Sequence, residues 1–149
     1  MTPSSVLQTA IATLIASDTT TLAAATALHL HLAKAPFVPA PNLDVATLTE
    51  ADFAGYAALD PTAGTQLIYQ DAVTGLITVE MKQPTGGWHF QTTGTGQLPQ
   101  TIYGWYLTDH TDLILYGSGL LPTPVPLSAA GQGFDLPAQT FAFLNQSPQ

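Results

Sequence analysis

The chain has no cysteine and no arginine, and its only lysines are Lys34 and Lys82. Without cysteine there are no disulfides, no thiolate metal sites and no cysteine nucleophile. The redox compartment stays open, because a chain of 149 residues has enough material for a core without covalent staples. Without arginine, the bidentate clamp that carboxylate and phosphate substrates usually meet is missing. A nucleic-acid binder needs cations to displace counterions from phosphates, and two lysines far apart in sequence make no basic stripe. Nucleic acid is therefore excluded as a direct ligand, and an anionic membrane surface is disfavoured for the same reason. Charge of either sign is scarce. Only 8% of residues are charged, about a third of the usual ~25%. The balance is acidic, with a net charge of −8. No apolar run approaches the ~20 residues that a membrane span needs. Met1 to Ser17 is apolar, but it lacks a basic start and is interrupted by Gln8, Thr9 and Thr13. It is not read as a signal peptide.

What is present is neutral polarity, glycine, proline and alternation. Val6, Leu7, Ala10, Ile11, Leu14 and Ile15 recur at helical spacing, which predicts a short amphipathic helix opening near Pro3. Such a helix is marginal alone and must dock, either on its own domain or on a neighbouring subunit. Residues 1–26 are accordingly read as a helical arm and linker, and 27–149 as a β-rich domain. Leu28-His29-Leu30-His31-Leu32 alternates strictly, with leucines on one face and histidines on the other. Pro36, Pro39 and Pro41 then impose an extended or looped stretch. Thr47 with Glu50, or Thr49 with Asp52, has capping-box spacing for a short turn. Strands are expected over Gln66 to Tyr69, Leu76 to Lys82, Trp88 to Thr92, Thr101 to Thr108, Leu113 to Gly117 and Phe134 to Leu144. Asp109-His110-Thr111-Asp112 joins two of them as a hairpin. Pro122, Pro124 and Pro126 break regularity or hold an edge strand. Many short strands with Gly and Pro turns predict a mostly-β antiparallel sandwich or barrel with an N-terminal helix.

The groups that could carry chemistry have simpler roles. His29 and His31 share a strand face and can grip a metal. A zinc site needs a third or fourth ligand and a supporting shell, and no spacing brings His89 or His110 to them. The ordinary exposed-strand reading is preferred, and no metal, cofactor or catalytic residue is assigned. Glu50 is read as a cap and Glu80 as the solvent face of a strand beside Lys82, so a glycosidase pair is not assembled. Asp109 and Asp112 suit turn formation and lack the spacing of an EF-hand loop. Gly117-Ser118-Gly119 is no nucleophile elbow, and Gly94-x-Gly96 is not followed by the helix and lysine of a phosphate loop. Trp88, Tyr103, Trp105 and Tyr106 can form a sugar-binding platform on a sheet, but core packing is the simpler use of large aromatics.

Three stretches carry a resemblance. They are Leu28-His29-Leu30 followed by Phe37-Val38-Pro39-Ala40-Pro41, then Leu48-Thr49-Glu50-Ala51-Asp52-Phe53-Ala54-Gly55-Tyr56, then Thr101-Ile102-Tyr103-Gly104-Trp105-Tyr106-Leu107-Thr108-Asp109. In this order the chain, from about Ala27 to Leu144, resembles a group of small uncharacterised proteins encoded by tailed bacteriophages and prophages near virion structural genes. It departs from them in having no arginine and in its apolar N-terminal segment. The resemblance implies a non-enzymatic virion structural protein of the capsid decoration or head-associated type. Its expected partners are the major capsid protein or neighbouring copies in a homo-oligomer, and its expected location is the virion, after synthesis in the host cytoplasm. The alternative is a carbohydrate-binding or receptor-binding β-module of a tail or fibre, which requires exposed aromatics in a groove.

Overall fold

The computed structural model describes residues 2–3, 28–40, 42–60, 66–70, 76–81, 88–109, 111–136 and 139–144, with side chains described within 29–60, 88–108 and 111–136. Among the described residues nine strands are formed: β1 (Thr2–Pro3), β2 (Leu28–Ala33), β3 (Gln66–Gln70), β4 (Leu76–Met81), β5 (Trp88–Gln91), β6 (Gln100–Asp109), β7 (Leu115–Leu127), β8 (Gly133–Leu136) and β9 (Gln139–Leu144). Every pairing between them is antiparallel. One sheet has the order β1-β7-β6-β2, a second β3-β4-β9, and a third is the β5-β8 ribbon. The described chain is thus mostly β. The expected N-terminal helix lies outside the described residues. Thr2 and Pro3, at its start, pair with Ser118 and Gly117 of β7.

The alternation in β2 sets the two faces of the first sheet. Leu30 and Leu32 enter a core cluster with Trp105 and Leu107 of β6, Trp88 and Phe90 of β5, Leu136 of β8, and Ala51 and Phe53 from the loop after β2. Ala33, Tyr106 and Leu115 form a second cluster, packed against by Phe37, Leu43, Val45 and Leu48. The outer edge of β2 is covered by the segment 49–59. There the Ala51 N–H donates to the Leu32 carbonyl (2.9 Å), and Leu30 and Leu59 exchange backbone hydrogen bonds (2.7 and 3.1 Å). A covered edge leaves no template for another strand to add to.

Three elements differ from their expected form. The capped turn expected over Leu48 to Tyr56 is only a tight turn in which the Tyr56 N–H donates to the Phe53 carbonyl (2.9 Å), while a 3-10 turn forms just before it at Val45–Thr47, capped by Asp44, whose carboxylate accepts from the Ala46 N–H at 2.9 Å. Glu50 is therefore not a cap; its backbone bridges to Ala33 instead. The strand expected to end at Gly117 runs on to Leu127 through all three prolines. The pairing explains how this is possible. It jumps from Val125 opposite Ile102 to Leu120 opposite Gly104, so Pro122 and Pro124 fall in a bulge where β6 asks for no amide donor. Finally, Phe134 to Leu144 is divided between β8 and β9, which belong to different sheets, with Pro137 between them in sequence.

Candidate functional site

The histidine face of β2 is where polar chemistry gathers. In register, His31 stands opposite Tyr106 and His29 opposite Thr108. The Tyr106 ring stacks on the His31 imidazole with centroids 4.7 Å apart and planes 8° from parallel. The His31 side chain is only 4% exposed, so the ordinary exposed-strand reading does not hold for it. His29 is half-buried, 33% exposed, and lies 2.7 Å from Asp112. The His29 and His31 rings meet edge to face at 6.0 Å.

Both nitrogens of His31 are engaged. Nδ1 lies 2.7 Å from Glu50 Oε1. Nε2 lies 3.0 Å from Thr108 Oγ1 and 3.0 Å from Asp112 Oδ1. Asp112 comes from the hairpin between β6 and β7. It adopts a left-handed backbone conformation (φ 58°), which aspartate tolerates better than most residues. That turn aims its carboxylate back over β2. Asp112 Oδ1 also lies 2.7 Å from His29 Nδ1 and accepts from the Thr108 hydroxyl at 3.0 Å. On the other side, the Tyr56 hydroxyl donates to Glu50 Oε1 at 2.8 Å and accepts from the Leu32 backbone N–H at 3.1 Å. A connected chain therefore runs from the backbone of β2 through Tyr56, Glu50 and His31 to Asp112 and His29.

The electrostatics follow from these contacts. The hydrogen bond from His31 holds the Glu50 carboxyl below its usual range against the opposing effect of burial, with help from Tyr56. For Asp112 partial burial is the largest single influence and pulls upward. The hydrogen bonds from His29 and Thr108 and the two nearby imidazoles outweigh it, so the net direction is down. Burial pushes the phenols of Tyr56 and Tyr106 well above their ordinary value. Both therefore act here as neutral hydroxyls.

His29, His31 and Asp112 offer ligand atoms that all lie within 4.8 Å of one another. The structure thus brings together two residues weighed as metal ligands and one, Asp112, read as a turn former after a calcium role was set aside. Glu50, read as a cap, is the group that orients His31. His89 stands apart on β5 and pairs with Asp135 at 2.7 Å. His110 and the side chains of Asp109 and Glu80 lie outside the described residues. Ser118 is buried in β7, and its hydroxyl has no hydrogen-bond partner among the described residues. Gly94 and Gly96 sit in the loop between β5 and β6, where the Gly96 carbonyl accepts from the Ala54 N–H at 3.2 Å, and a strand follows, not a helix. Trp88 and Trp105 are each 2% exposed and belong to the core. They supply no open aromatic platform.

No protein-family model matches this chain, and neither a curated protein nor a solved structure is significantly similar to it.

Proposed function

We propose that this chain is a β-sandwich or barrel subunit that acts by fitting into a larger particle, as a capsid decoration or head-associated protein of a tailed phage, and not by catalysis. Support for the sandwich or barrel comes from the core, where residues of the β5-β8 ribbon pack with the leucine face of β2 and with β6. Support for a contact role comes from one observation above all: apolar side chains stand out on proline-stiffened segments. Val38, between Pro36 and Pro39, is 79% exposed, and Leu120, just before the proline-bearing half of β7, is 51% exposed; Leu113 and Ile114 of the β6–β7 hairpin add further exposed apolar surface (78% and 40%) outside those segments. The two segments meet at Gly104, which stands opposite Leu120 in register and would place any Cβ against the Phe37 ring. Stiff extended segments lose little conformational entropy when they lie across a neighbour. Closed rings of identical subunits are the default product of such contacts. The partners in this reading are neighbouring copies or the major shell protein, and the location is the virion.

The test is gradient sedimentation of phage particles from cells that carry the gene, with light scattering of the purified full-length protein beside it. The reading expects the chain to migrate with the particles and the Val38→Asp, Leu120→Asp double variant to be released from them. Recovery of the wild-type chain only as free protein at the top of the gradient would overturn it.

A further inference from the structure

We propose that His29, His31 and Asp112 form a binding site for one divalent transition-metal ion of the zinc type. The inference is independent of the particle reading and goes beyond it. Two imidazoles and a carboxylate make a donor set suited to Zn²⁺, Co²⁺ and their neighbours, and unsuited to Ca²⁺ or Mg²⁺, which take oxygen ligands.

The contacts around Asp112 carry the case. Its Oδ1 atom faces His29 Nδ1 at 2.7 Å, His31 Nε2 at 3.0 Å and Thr108 Oγ1 at 3.0 Å. Ligands ~2.0–2.2 Å from one tetrahedral ion sit about 3.3–3.5 Å from each other, so the two Asp112–histidine contacts open by about half an ångström and the His29 and His31 nitrogens, within 4.8 Å of one another, draw in by up to about 1.4 Å to admit the ion. The supporting shell is already in place. A metal-bound histidine typically gives its other ring N–H to a carboxylate, which fixes the tautomer and the ring orientation. His31 has this arrangement: Nδ1 is 2.7 Å from Glu50 Oε1, and Glu50 is itself held by the Tyr56 hydroxyl at 2.8 Å. With the proton on Nδ1, the lone pair of Nε2 points at Asp112. In that tautomer Nε2 and the Asp112 carboxylate are both acceptors, and a cation between them, a metal ion or a second ring proton, lets them approach; Zn²⁺ titration separates the two. Stacking on Tyr106 and near-complete burial lock the ring in this pose.

The site is closed on the His31 side and open on the other, where Asp112 is 51% and His29 33% exposed. Three protein ligands with solvent access leave at least one position for water or for a donor from elsewhere.

The experiment is Zn²⁺ titration by calorimetry on the full-length protein freed of metal by chelation, with Co²⁺ absorption as a second readout. The expected result is one Zn²⁺ per chain, visible Co²⁺ bands, and a melting temperature that rises with Zn²⁺ concentration. His29→Gln and Asp112→Asn change exposed positions, so the fold survives them, and each abolishes saturable binding. Glu50→Gln leaves all three ligands in place and weakens Zn²⁺ binding by about 10- to 100-fold. Absence of saturable Zn²⁺ binding overturns the proposal. So does binding that is unchanged in both His29→Gln and Asp112→Asn, which would mark an adventitious ion only.

Discussion

Glu50 is the residue on which most of the local chemistry turns. In the unfolded chain it is an ordinary carboxyl with a reference value of 4.5. In the fold the hydrogen bond from His31 lowers it, burial opposes this, and Tyr56 adds to the lowering. A depressed carboxyl contributes stability that is complete above the unfolded value and is lost as pH falls through the folded one. The melting temperature should therefore drop as pH falls from neutral through and below the ordinary carboxyl value of 4.5, and Glu50→Gln should drop less over the same interval. Equal losses in the two proteins would show that the His31 contact contributes nothing. Tyr56 makes a separate prediction. Its hydroxyl accepts from the Leu32 N–H and donates to Glu50, so Tyr56→Phe strands a backbone donor and one acceptor. The expected loss is about 1–3 kcal/mol in chemical denaturation. The histidine half of this site was legible in the alternation of β2. The carboxylate half was not, because Glu50 and Asp112 reach His31 across 19 and 81 residues. Each also had a sufficient local explanation, as a cap or as a turn former. For Asp112 the turn reading is correct but incomplete, since its left-handed conformation is what points the carboxylate at β2.

The elements show where local pattern suffices and where pairing decides. The strands at 28–33, 66–70, 76–81, 88–91 and 100–109 lie close to their expected bounds, because β-branched and alternating apolar residues within them and turn residues near most of their ends are local signals. The strand β7 does not, because proline weighs against strand structure wherever an amide donor is needed. Only the three-dimensional register reveals that β6 skips Pro122 and Pro124. The same pairing makes two glycines indispensable. A Cβ on Gly104 would collide with the Gly119 carbonyl and come within 2.8 Å of the Phe37 ring. A Cβ on Gly119 would come within 2.7 Å of the buried Trp105 ring. Backbone and a core indole cannot yield as an exposed side chain can. Gly104→Ala and Gly119→Ala should each destabilise by about 1–3 kcal/mol, read as a lower urea midpoint. Gly131→Ala is a useful contrast, because its added methyl meets nothing within 4 Å while its φ of +81° disfavours any side chain. Its loss would report backbone strain alone.

At the scale of the whole molecule, the scarcity of charge has a consequence that can be measured. Association steered by charge weakens steeply with salt, because the Debye length shrinks from about 10 Å at 0.1 M to about 3 Å at 1 M. This chain carries 8% charged residues and a net charge of −8. In the proposed contact, like-charged copies would repel one another most at low salt and would attract through neutral polar and apolar area. The proposed contact role, with Val38 and Leu120 at its centre, therefore predicts self-association that is nearly flat or slightly stronger as salt rises. Ammonium sulfate should strengthen it further, since excluded salts favour burial. Sedimentation velocity at about 0.05 M and about 0.5 M NaCl separates the cases. A contact that dissolves at the higher salt is built on ion pairs, for which the described surface offers Lys34 with Asp52 at 2.6 Å and His89 with Asp135 at 2.7 Å. Such a contact would move the interface away from the proline-bearing segments and towards those pairs. A contact that survives keeps it where stiffness and apolar exposure coincide.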